Sequence, residues 1–124
     1  MRIFKTRAFG RFARKERLRN GPLRDAVERA DRGLVDADLG GHVIKQRIAR
    51  PGEGRSGGYR VLIAYRARRR AVFVFGCAKN DLDNIDDDEL KTLRKAATEM
   101  LSWSDEEVAA LVAAGKWTEI EPDD

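Results

Sequence analysis

The 124-residue sequence has one cysteine, Cys77, one histidine, His42, and three prolines. A single cysteine excludes a disulfide framework and points to a reducing, cytoplasmic setting. A single histidine confines any Ser-His or Cys-His nucleophile system to His42. No nucleophile elbow surrounds it, and a lone loop histidine is ordinarily structural or exposed. Cys77 lies in the most apolar stretch and reads as a small core residue rather than a reactive thiol. Long apolar runs are also missing. Charges interrupt every hydrophobic segment from MRIFKTRAFGRF onward, so the start lacks the apolar core of a secretory signal. No stretch approaches the roughly 18 apolar residues of a membrane span.

Acidic residues are scarce in most of the chain. Residues 1–80 carry 21 Lys and Arg against 7 Asp and Glu, while residues 81–124 carry 4 against 14, leaving a net charge of +4. Such asymmetry suggests a polyanion partner for the basic part, with nucleic acid first among candidates. The plain alternative is a solvated, arginine-rich exterior. The length suits one domain, and 42% hydrophobic residues supply its core.

Periodicity divides the chain into elements. Arg2 to Lys5 reads as a first strand. Phe9, Phe12 and Ala13 fall at helical spacing over 8–18. Pro22 suits the first turn of a second helix, 22–33, whose stripe is Leu23, Ala26, Val27 and Ala30 and whose stop is Gly33. Val43 to Ala49 is β-like, with Lys45 and Arg47 on one face. RPGEGRSGG is a loop. Tyr59 to Arg66 alternates strictly: Tyr59, Val61, Ile63 and Tyr65 share one face, and Arg60, Leu62, Ala64 and Arg66 the other. RARRR is a polar turn. Residues 71–78, AVFVFGCA, are apolar on both faces and predict a covered central strand. Asp86 with Glu89, and Ser104 with Glu107, resemble capping boxes for two late helices. The first of these, 87–102, carries Leu90, Leu93, Ala97, Met100 and Leu101 inward. Successive strands joined by turns predict an antiparallel sheet in an α+β domain ordered β-α-α-β-β-β-α, with N-terminal helices on one face and an extra C-terminal helix. Residues 1–103 form its body. Residues 104–124, a helix and an acidic tail, belong to the same domain.

The acidic run Asp81, Asp83, Asp86, Asp87 and Asp88 invites a metal, yet an EF-hand loop starting at Asp81 would place Ile85, Asp86 and Thr92 at its fifth, sixth and twelfth positions. The pattern fails, and acids ahead of a helix N-terminus have their own electrostatic reason. No metal or other cofactor is expected.

The basic residues are more informative. Lys45 and Arg47 share a strand face, Arg55 sits in the glycine loop, Arg60 opens the next strand and Lys79 ends the last. If those strands are adjacent, their cations converge. Gly57–Gly58 would let the loop approach a backbone closely, and arginine binds phosphate oxygens through a planar fork. A simple turn with scattered arginines fits the same spacing.

KQRIARPGEGRSGGYRVLIAY, followed by VFVFGCAKNDLDNI and a helix with an EL…L…A pattern, resembles the RelE/HigB-like toxins of bacterial type II toxin–antitoxin systems. The shared features are an R-x-G-G-x-R corner and an A/G-K-N/S-D/E strand end, and the likeness spans about residues 40–101. It implies a RelE-like fold and a metal-independent endoribonuclease that cuts mRNA in the ribosomal A site, directing the ribose 2′-OH at the adjacent phosphate. By position it implies catalytic roles for Lys45, Arg47, Arg60, Lys79 and Asn80, and RNA contacts from Arg50, Arg55, Gly57, Gly58, Tyr59, Arg66 and Arg69. It implies a cognate antitoxin, often with a helix-turn-helix domain, through which alone the toxin reaches operator DNA. Ribosome and mRNA are the other implied partners, and no membrane is. Several relatives use a Tyr or His near the C-terminal side as general base or base-stacking residue. Here Asn80, Asp81 and Asp83 stand there, leaving Tyr59, Tyr65 and Lys45 as substitutes. The same fold serves gyrase-poisoning toxins, and a basic RNA-binding module without catalysis is a third reading.

Overall fold

The computed structural model describes residues 1–50, 58–78 and 85–121. The chain runs β1 (Arg2–Thr6), α1 (Arg7–Glu16), α2 (Asn20–Asp31), β2 (Ala37–Asp38), β3 (Val43–Ile48), β4 (Tyr59–Arg66), β5 (Arg70–Ala78), α3 (Asp87–Ser102), α4 (Asp105–Ala113) and β6 (Trp117–Ile120). One six-stranded sheet results, ordered β2-β3-β4-β5-β1-β6.

Local sequence signals set the element ends. The Thr6 hydroxyl caps α1 by accepting from Phe9 N–H. After α2, Gly33 takes a left-handed φ of 83°, and the N–H groups of Gly33 and Leu34 close onto the carbonyls of Ala30 and Arg29. This is the Schellman ending that glycine makes inexpensive. Asp86 caps α3 through Glu89 N–H. Ser104 and Glu107 cap α4 reciprocally, as the sequence pattern predicts.

The α+β, RelE-like expectation holds, but the sheet is mixed rather than wholly antiparallel. β2, β3, β4 and β5 alternate in direction, whereas β1 lies parallel to β5, with Ile3 opposite Ala71 and Phe4 opposite Val72. The hairpin rule sets direction only for strands joined by a turn, and β1 reaches β5 through two helices and three strands. Ile3, Phe4, Ala71, Val72 and Phe73 are all buried at this pair, as parallel pairing requires. The stretch read as an acidic tail also differs. Trp117–Ile120 pairs antiparallel with β1 and buries Trp117 and Ile120.

Helices cover both faces. Phe9, Ala13, Leu23, Ala26, Val27 and Ala30 from α1 and α2 pack on Ile3, Ile44, Val61, Ile63 and Phe73. Ala97, Leu101 and Val108 from α3 and α4 pack on Phe4, Val43, Leu62, Ala64, Val72 and Trp117. Alternation along β4 divides the two cores as the sequence predicts. Leu93 and Met100 of α3 are partly buried.

Candidate functional site

Three of the expected cations come together. Lys45 and Arg47 alternate with Ile44, Gln46 and Ile48 on β3 and so project to the α3 side. In register, Lys45 stands opposite Leu62 and Arg47 opposite Arg60. On the other flank Arg60 faces Cys77. α3 covers the Leu62–Ala64 end of this face, and Arg47 beyond it is exposed.

Arg60 is not a rim residue. Its side chain is only 8% exposed, and its Nη1 donates to the Gly58 carbonyl at 3.0 Å. The planar fork is thus held by its own hairpin, one residue from the strand start, and preorganised rather than free to swing. Gly58 is explained by the same corner. A Cβ there would lie 1.9 Å from the Ile48 carbonyl oxygen and 3.0 Å from Arg50 N. The close approach that this glycine permits is to the chain's own β3.

The backbone of Arg47 is held from both sides. Its N–H donates to Asp36 Oδ2 at 2.6 Å, and its carbonyl accepts from Arg29 Nη2 at 2.8 Å. Arg29 is buried and also pairs with Asp25 at 3.2 Å. Between Lys45 and Arg47, Gln46 is fully buried and fully bonded. Its Nε2 donates to the carbonyls of Ala26 and Leu34, and its Oε1 accepts from Asp36 N–H. β2 has two residues and pairs only with Ile44 and Lys45. Side chains therefore complete the edge of β3 where a neighbouring strand is missing.

Other expected residues lie elsewhere. Tyr59 is 4% exposed in the α1/α2 core, and its hydroxyl donates to the Glu16 carbonyl at 3.2 Å. Arg50 stacks over the Tyr59 ring and pairs with Glu16 at 3.3 Å. These two are on the opposite side of the sheet from Arg47 and Arg60. Tyr65 also faces that side, donating to Asp31. Burial and this bond hold its phenol above the ordinary value, so it is a poor proton acceptor. Of Tyr59, Tyr65 and Lys45, only Lys45 shares the cationic face.

Arg66 and Arg69 lie at the far end of β4. With Arg2, Arg68 and Arg70 they line an open groove of about 440 Å³ against Ser102–Asp105. Arg70 is engaged there, donating to the carbonyls of Met100 and Trp103. Six residues of strand, roughly 20 Å, separate Arg66 from Arg60. Arg55, Gly57, Lys79 and Asn80 lie outside the described residues. Lys79 follows Ala78, which pairs with Tyr59 one position from Arg60.

A residue the sequence reading passed over stands on the same face. Phe75 is 42% exposed, although the apolar run around it predicts a strand covered on both sides. No alternation signal reveals it, because β5 carries an irregularity between the positions facing Leu62 and Ile63.

The fold and this face define a class: a small α+β domain whose sheet is clamped between two helical pairs and carries Lys45, Arg47 and Arg60 on one face. The family described as the RelE toxin of the RelE/RelB toxin–antitoxin system matches residues 1–120, and the chain belongs to it. It is accordingly the toxin component of a toxin–antitoxin pair, with a cognate antitoxin as partner. The comparison with curated proteins returns no match. Among the described residues, no helix is long and apolar enough to cross a membrane.

Proposed function

We propose that this toxin is a cytoplasmic, ribosome-dependent mRNA endonuclease of the HigB-like branch, and that Arg60, Arg47, Lys45 and Lys79 with Asn80 form its catalytic cluster. The observation that carries the reading is the register pair Arg47–Arg60. Two arginines are direct cross-strand neighbours on one sheet face: Arg60 is buried with its guanidinium held by the Gly58 carbonyl, and Arg47 is exposed on a backbone pinned at both its N–H and its carbonyl.

In the reaction, the ribose 2′-oxygen bonds to the adjacent phosphorus as the bond from phosphorus to the 5′-oxygen breaks. The products are a 2′,3′-cyclic phosphate and a 5′-hydroxyl. Negative charge grows on the non-bridging oxygens in the transition state, and preorganised cations stabilise it most. Arg60 is the best placed for that role, because little reorganises when the charge appears. Arg47 binds the scissile phosphate from the neighbouring strand. Lys45, one row away on the same face, adds a further positive charge beside the phosphate, while the 2′-hydroxyl gives its proton to solvent and the departing 5′-oxygen takes one from solvent. The broad basic surface, including Arg66 and Arg69, supports docking among ribosomal RNA phosphates.

Primer-extension mapping of mRNA on purified ribosomes tests the proposal. Discrete A-site cuts that require ribosomes are expected. Intact message, with DNA supercoiling impaired instead, would overturn it.

A further inference from the structure

β5 changes face partway along. Phe73 pairs with Ile63 and Phe75 pairs with Leu62, so Val74 is an extra residue in the ladder. Before this bulge, Ala71 and Phe73 point to the α1/α2 core, where the Phe73 ring lies 5.1 Å from that of Phe9. Simple alternation would send Phe75 and Cys77 the same way. The bulge instead places them with Leu62 and Arg60 on the cationic face, and Cys77 joins the α3-side core. Gly76 now faces α1, where a Cβ would come within 2.5 Å of the Phe12 ring. Bulges re-aim side chains, and a strand-interior glycine marks a close approach.

The outcome runs against burial. A phenylalanine in a central strand is turned out of an available core and left 42% exposed, while Val74, Gly76 and Cys77 around it are more buried. It stands in the row Lys45–Leu62–Phe75, next to the row Arg47–Arg60–Cys77. Rows on one face are about 7 Å apart, comparable to the reach from a nucleobase to its own phosphate. A flat apolar ring one row from the exposed Arg47 and its cross-strand neighbour Arg60 suits unstacked single-stranded RNA, with the base on the ring and the backbone on the cationic row.

We propose that Phe75 is the stacking platform for a base of the RNA substrate next to the cut, positioned by the β5 bulge. The inference rests on the endonuclease reading and adds the subsite that orients the nucleotide. Because a ring reads any base by its face, the platform fixes position with little base preference.

The test uses a short single-stranded RNA methylated at its 2′-oxygens, which the toxin cannot cut, bound at low salt. Phe75→Leu should weaken binding roughly 5- to 150-fold, the range of one base–aromatic stack, with the salt dependence unchanged. Phe75→Trp should retain affinity, and its added indole should lose fluorescence as RNA binds. Arg47→Ala should instead flatten the salt dependence. Melting temperatures confirm folding. Unchanged RNA affinity in Phe75→Leu overturns the platform alone and assigns the exposed ring to a protein contact. If the wild-type chain fails to bind the RNA and to cut message on ribosomes, the endonuclease reading fails and the platform with it.

Discussion

Replacing Arg60 separates catalysis from stability most sharply. Arg60→Ala removes the bond from Nη1 to the Gly58 carbonyl at 3.0 Å and the packing of a side chain 8% exposed. A hydrogen bond from a charged group contributes about 1.5–3 kcal/mol, and the alkyl stem adds packing. Removing a cation opposite Arg47 relieves some repulsion in return. The net loss is about 1–3 kcal/mol, equivalent to a melting-temperature drop of roughly 4–12 °C for a domain of this size. The catalytic effect should be larger. Losing one preorganised charge-stabilising donor lowers the rate roughly 10²–10³-fold. Arg60→Lys restores the charge without the fork and should recover only part of it. The assay is the initial cleavage rate on purified ribosomes, far below the melting temperature of every variant. Full cleavage by Arg60→Ala would refute the assignment. So would a defect that vanishes on cooling, because it would show that only the folded fraction had changed.

Gln46→Leu keeps volume but removes all three hydrogen bonds of a fully buried amide, to Asp36 N–H and to the carbonyls of Ala26 and Leu34. We expect a loss of about 2–5 kcal/mol, read by urea unfolding, and a midpoint equal to wild type would contradict it. Gly58→Ala forces a methyl to within 1.9 Å of the Ile48 carbonyl, so the hairpin must open and displace Arg60. Calorimetry should show destabilisation of about 1–3 kcal/mol or more, together with lost cleavage. Tyr65 has its phenol raised by burial and by its bond to Asp31, so its contribution is complete below the unfolded-state value near 10 and fades as pH rises above it. Tyr65→Phe should therefore be less stable than wild type at neutral pH, and the gap should narrow above about pH 10. A constant gap across that range would exclude the linkage.

Much of the candidate site was legible from residue spacing. Strict alternation in β4 assigned Arg60 to the face opposite Tyr59, and the same period in β3 put Lys45 with Arg47. These follow from strand geometry alone, which is local. The capped starts of α3 and α4 and the glycine stop of α2 were equally local. The basic character of residues 1–80 needed only counting.

What escaped the sequence depended on contacts between distant segments. The direction of β1 was set by the path through α1 to β4, and β6 exists because Trp117–Ile120 finds an open edge on β1. Tyr59 and Arg50 were expected as RNA contacts by their position in the family resemblance. Only packing against Glu16 of α1 shows them engaged on the other side. Gly58 was legible as a close approach, but the partner proved to be Ile48 of the same chain. Phe75 was hidden for a related reason. Its face is decided by a bulge that depends on the pairing of β5 with β4 and on the Phe12 ring over Gly76. Period-2 reasoning carries no information across an inserted residue. Sequence fixes which side a residue takes while the ladder is regular, and only tertiary pairing decides where the ladder breaks.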